Sequence, residues 1–114
     1  MDTENSMVAY VDVDDALKRI GGNMGLYKRL LSRFIEVDQF VPLKEALQSG
    51  DTEEAARLAH TLKGVSANLS LAKVKNLSTE LEQLVKSGSD HTAKLAELGR
   101  AYNETVQMIT EILV

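Results

Sequence analysis

The 114-residue chain has no cysteine, no tryptophan and a single proline, and aromatic residues make up only 4% of it. Without cysteine there can be no disulfide, iron–sulfur cluster or thiolate zinc site. With so few aromatics the core falls to Leu, Val, Ile, Ala and Met, a set that suits packed helices. No apolar run approaches the ~18 residues that a membrane helix needs. The N-terminal stretch MDTENSMVAYVDVDD is acidic and lacks the apolar centre of a secretion signal. The expected location is therefore the cytoplasm, with no membrane partner. Basic residues are in the minority, 13 against 17 acidic, for a formal charge of -4. Phosphate-backbone binding needs a positive face, so nucleic acid is not an expected partner. There is no G-x-x-x-x-G-K-[ST] loop and no cluster of convergent carboxylates, so no nucleotide or metal site of its own is expected. Repeats, low-complexity tracts and strand-like alternation are also missing.

What is present is a 44% hydrophobic content, enough for one domain with a real core. Residues 1–10 read as a flexible arm and 11–114 as the domain. In DVDDALKRIGGN, Val13, Ala16, Leu17 and Ile20 recur at helical spacing behind Asp12, a candidate N-cap, and Gly21-Gly22-Asn23 is a stop and restart. From Met24 to about Ser49, Leu26, Leu30, Leu31, Phe34, Ile35, Val41 and Leu47 predict one long helix. Pro42 removes a backbone donor inside it and predicts a kink or a brief break there, the pattern leaving both open. Gly50 closes that helix. Asp51 caps the next, with Glu54 completing a capping-box pattern, and this helix runs from about Thr52 to Leu69. Ser70 reads as the N-cap of a helix carrying Leu71, Val74, Leu77, Leu81, Leu84 and Val85. After KSGSDH, Asp90 caps a last helix with Leu95, Leu98, Tyr102, Val106, Ile109 and Leu113. Short connections favour antiparallel neighbours. The expected fold is all-α, an antiparallel up-and-down four-helix bundle with an additional short N-terminal helix.

The third of these helices contains AHTLKGVSANLS. A glycine inside a helix costs about 1 kcal/mol against alanine, and this one stands four residues after one of only two histidines. At about 100° per residue, Ala55, Leu58, Ala59, Leu62, Val65, Ser66 and Leu69 form the core-facing stripe. His60 falls about 160° from its centre and should point to solvent. Ala56, Gly64 and Ala67 share that outer face, so a second protein can approach the ring without a clash. Lys63 lies on the same side, within reach of an anion held on the imidazole. A neutral imidazole near pH 7 is a nucleophile. Nucleophile, cation and cleared space together are what a phosphoryl carrier needs. An exposed histidine near a lysine is also common on plain helices, and small residues also serve helix packing, so the residues alone leave both readings open. A metal site is not expected, because His91 stands apart and no H-x-x-x-H or H-x-x-E pattern surrounds His60.

AHTLKGVSANLS closely resembles the phosphorylation motif of histidine-containing phosphotransfer (HPt) domains, H-x-x-K-G followed by small residues and often N-L-G. ALKRIGGNMGLYKRLLSRF, SGDTEEAARLAHTLKG and LSTELEQLVKSGS resemble segments of the same family, so the likeness runs from about residue 12 to 113. It departs at Ser70, where many members carry glycine; a serine N-cap would serve that boundary. The resemblance implies that His60 is the phosphoacceptor through the ring nitrogen farthest from the backbone. It implies that Lys63 balances phosphoryl charge and that Gly64 leaves room for the partner. Glu82 matches a position where members hold a hydrogen-bonding side chain. The helical angle places it on the flank of its stripe, where it can orient the imidazole or be an ordinary solvated charge. Ala56, Ala67 and Asn68 fall where a partner would touch. The implied function is transfer of a phosphoryl group from one receiver-domain aspartate to His60 and on to another. The implied partners are receiver domains and a hybrid histidine kinase, with Mg2+ on the receiver and no cofactor of the chain's own. A monomer is expected, since one bundle uses all the apolar stripes. The core of a histidine kinase fits less well, because its histidine is usually followed by an acidic residue and here Thr61 follows. The alternative is a helical interaction module that binds a receiver or partner helix without taking phosphate.

Overall fold

The structure, a computed structural model, describes residues 10–114. Among these the helices are α1 (Val13–Arg19), α2 (Met24–Glu36), α3 (Phe40–Gln48), α4 (Thr52–Asn68), α5 (Ala72–Lys86) and α6 (Thr92–Leu113), and the described residues contain no strand. Consecutive helices α3 to α6 pack as neighbours, with the most extensive interface between α4 and α5. Both α2 and α3 pack on the long α6, so together they form one broken leg of a four-legged bundle, with α1 the short extra helix. Leu31, Leu43, Leu62, Leu71, Val74, Leu81, Leu98 and Ile109 are fully buried between the legs. The arm expected over residues 1–10 lies outside the described residues except for Tyr10. That ring packs on the bundle, with the Lys73 ammonium 5.2 Å from its centre.

The break in the first leg does not fall at Pro42. It falls at Val37–Gln39, and Pro42 lies in the first turn of α3. There its missing N–H is one of the donors that a helix start leaves unpaired anyway. The Asp38 carboxylate causes the restart by accepting from Phe40 N–H at 2.9 Å and Val41 N–H at 3.0 Å. The Gln39 N–H donates to the Tyr102 hydroxyl at 3.1 Å, and the Phe34 and Phe40 rings stand 5.5 and 6.0 Å from that of Tyr102. The interruption is thereby fixed against the middle of α6.

Several caps follow the sequence. Asp12 accepts from Asp15 N–H at 3.1 Å, Asn23 from Leu26 N–H at 2.9 Å and Asp51 from Glu54 N–H at 3.1 Å. The second half of the expected capping box is not made. The Asp51 N–H donates to the Ala46 carbonyl at 2.9 Å while Gly50, at φ +80°, bonds back to Leu47. This closes α3 with the paired C-terminal bonds of a left-handed glycine turn, and the Glu54 carboxylate pairs with Arg57 instead. Asp90 acts one residue outside the α6 cap, accepting from Thr92 N–H at 3.0 Å.

Ser70 is not the N-cap of α5. Leu71 holds that position, with no side-chain bond to the helix. Ser70 has φ +57° and ends α4, with its N–H on Ala67 and the Leu71 N–H on Ser66. That is the place for a left-handed residue after a helix. Its hydroxyl donates to Asp15 Oδ2 at 2.7 Å, and its carbonyl accepts from Asp12 N–H at 3.0 Å. The bond from Ser70 holds the Asp15 carboxyl below its ordinary value, with Arg19 adding to it against the effect of burial. Arg19 also donates to the Ala67 carbonyl at 2.8 Å. The short α1 is thus pinned to the α4–α5 turn.

The same turn is held from α2. The buried Tyr27 hydroxyl donates to the Leu69 carbonyl at 2.8 Å. Burial pushes the Tyr27 phenol up to about 12, with Asp12 and Asp15 adding to it. Two predictions arise here. A phenol raised above its unfolded value keeps its stabilising effect below that value and loses it as pH climbs. Urea titrations from pH 10 to 12 should therefore show a loss of roughly 2–3 kcal/mol traceable to Tyr27. Tyr27→Phe removes that part of the slope and lowers neutral-pH stability by about 1 kcal/mol. At Ser70, alanine retains the left-handed strain and loses the hydroxyl. Thermal melts should place Ser70→Ala about 1 kcal/mol below Ser70→Gly.

Candidate functional site

Helix α4 forms because its apolar residues repeat on one side and Asp51 caps its start. Ala55, Ala59, Leu62 and Ser66 are buried, with Leu58 and Val65 packed at the margins. His60, Thr61, Gly64 and Asn68 are exposed on the other side. The His60 side chain is 63% exposed, as the angular count requires. It is not an isolated surface ring, however, because its Nδ1 edge leans onto α5.

There it meets Glu82, whose side chain is only 8% exposed. Nδ1 lies 3.2 Å from Oε2 and 3.3 Å from Oε1. Lys86 Nζ is 2.8 Å from Oε2, and Lys63 Nζ is 3.7 Å from Oε1. Burial alone would raise the Glu82 carboxyl. The hydrogen bonds from Lys86 and His60 outweigh it and hold the group below its ordinary value. An ionised carboxylate can only accept, so the shared proton belongs to Nδ1. In the neutral ring Nε2 is then the bare nitrogen. Ser66 of α4 and Ser78 of α5 are fully buried, and their hydroxyls meet no partner among the described residues.

The expected site residues are only partly brought together. His60, Lys63 and Glu82 form one cluster, and half-buried Ala56 lines the cleft beside it with Thr52, Arg57, Thr61, Val85 and Lys86. Gly64 faces open space, since a Cβ added there meets nothing within 4 Å. Ala67 and Asn68 sit further along α4. The Ala67 carbonyl receives Arg19, and Asn68 edges a separate groove with Leu30, Arg33 and Val37 of the α2 side. Lys86 did not figure among the expected residues. Its signal in the sequence was the E-x-x-x-K spacing to Glu82, one helical turn apart. His91 lies at the start of α6, outside the His60 cleft. Among the described residues no group of three His, Cys, Asp or Glu side chains could hold a metal ion, and no helix is long and apolar enough to cross a membrane.

The chain matches the family model for the Hpt domain over residues 37–113, most of its length, and it belongs to that family. The match begins at the break before α3, so the α1–α2 segment that also resembles the family lies outside it. No curated protein and no solved structure gave a match. Members of this family are helical phosphocarrier modules of two-component phosphorelays, not enzymes with a catalytic site of their own.

Gly64 gives a prediction independent of any partner. It is exposed within a helix, and a Cβ added there meets no atom of the described residues within 4 Å. Gly64→Ala should raise unfolding stability by about 1 kcal/mol in chemical denaturation.

Proposed function

We propose that this protein is the histidine phosphotransfer component of a phosphorelay, taking a phosphoryl group on His60 from a receiver-domain phospho-aspartate and passing it to another receiver aspartate. The observation that carries the reading is the hold of buried Glu82 on Nδ1 of an exposed His60, which makes Nε2 the bare nitrogen of the neutral ring. The Nε2 lone pair attacks phosphorus in line. The bond from phosphorus to the aspartyl oxygen breaks, and the aspartate leaves with that electron pair. The proton stays on Nδ1, hydrogen-bonded to Glu82, whose negative charge offsets the positive ring. Lys63 balances the phosphoryl oxygens and Gly64 admits the partner. Ala56, Ala67 and Asn68 contribute contact surface. Positioning and charge balance are most of what phosphoryl transfer asks of a protein.

On this reading the chain is a carrier with no ATP or metal site of its own. The partner receiver would hold Mg2+, which would supply positive charge beside the transferring group. A hybrid histidine kinase stands upstream, the protein works as a monomer, and the relay runs in the cytoplasm.

Incubation with a phosphorylated receiver should give an acid-labile, base-stable label on the parent and none on His60→Gln. No label, or equal label on both, would mean an interaction module that binds without accepting phosphate. A bulky residue at Gly64, such as Gly64→Gln, should slow transfer by roughly tenfold to a hundredfold with helicity unchanged by circular dichroism. A large loss of helicity would instead make Gly64 structural.

A further inference from the structure

We propose that Lys86 is a positioning residue for His60 that acts through Glu82, balancing the carboxylate so that it orients the ring without drawing a second proton onto Nε2. The inference rests on the carrier reading above and concerns how the nucleophile is held ready. A carboxylate beside an imidazole has two effects. It fixes the proton on Nδ1, and it also favours the doubly protonated ring. In that ring Nε2 has no free lone pair and cannot attack phosphorus. The first effect serves transfer and the second opposes it.

A cation on the same carboxylate separates the two. Lys86 Nζ stands 2.8 Å from Oε2, the oxygen that also lies nearest His60 Nδ1. Lys63, at 3.7 Å from Oε1, is a looser contact. With one negative and two positive side chains, the cluster beside the neutral ring has a net positive charge. That charge disfavours a proton on Nε2 and favours an incoming phosphoryl dianion. The other charged groups lining the cleft are Glu53 and Arg57, both from α4. Arg57 is already bound to Glu54. No charged side chain of α3 or α6 lines the cleft. Lys86 is therefore the charge closest to Glu82, and it lies outside the H-x-x-K-G motif.

The test follows His60 ring resonances by NMR across the neutral range in the parent, Lys86→Met, Lys86→Gln and Lys86→Arg. Uptake of phosphate from phosphoramidate is measured on the same samples. In that reaction the Nε2–phosphorus bond forms as the phosphorus–nitrogen bond breaks and ammonia leaves, so no receiver is needed. In Lys86→Met the midpoint of the His60 transition should rise by about one pH unit. Uptake should then fall by several-fold to about tenfold near pH 6 and by less than about twofold near pH 8.5. Lys86→Gln, which can hydrogen-bond but has no charge, should behave like Lys86→Met, and Lys86→Arg should behave like the parent. An unchanged midpoint in Lys86→Met overturns the proposal. So does an equal loss of uptake at both pH values, which would place Lys86 on the phosphoryl group itself. Failure of the carrier reading looks different. The parent would take no label on His60, while the ring titration would still report whether Lys86 acts through Glu82.

Discussion

A carboxylate withdrawn from water must be met by donors, and Glu82 meets this demand at the seam between α4 and α5. Its partners come from both helices, His60 and Lys63 from one and Lys86 from the other. A turn of α4 by one residue would swing His60 and Lys63 away by about 100° and leave the enclosed carboxylate with Lys86 alone. The apolar contacts of Leu62, Val74 and Leu81 bring the helices together. The polar cluster selects one register among those that such contacts would tolerate. The chemistry at the histidine and the alignment of the two central helices are thus the same constraint.

Much of this could be read from the chain because helical periodicity is a strong signal. The stripe through Ala55, Leu62 and Ser66 placed His60 outside, and it is outside. The angle alone could not show that the ring leans onto α5, because that depends on the spacing between helices and on a carboxylate 22 residues away. Glu82 read as lying on a flank or in solvent, whereas packing against α4 buries it. The family motif marked the position and the structure supplies the contacts. Lys86 carried only a local spacing signal, common on helices, and gained meaning once Glu82 was seen to be enclosed.

The helix boundaries that differ from the sequence pattern have one cause. Each boundary has more than one residue able to make it, and tertiary contacts choose between them. Pro42 is the breaker that the sequence offers, yet Asp38 and the Tyr102 hydroxyl place the break earlier. Asp51 and Glu54 have the spacing of a capping box, but the Asp51 N–H is committed to finishing α3. Ser70 has the chemistry of a cap and the backbone of a glycine, and the backbone conformation decided its role. The glycine common at this position in the family was the better guide to that conformation.

The interruption between α2 and α3 has an evolutionary side. In an unbroken helix, one inserted or deleted residue rotates everything before it by about 100° and moves an entire buried face to the outside. The non-helical link at Val37–Gln39 can absorb such a change locally. Length variation upstream of α3 then need not disturb the packing of α3 through α6, where the histidine and its carboxylate sit. The span that matches the family model, residues 37–113, begins at this same link.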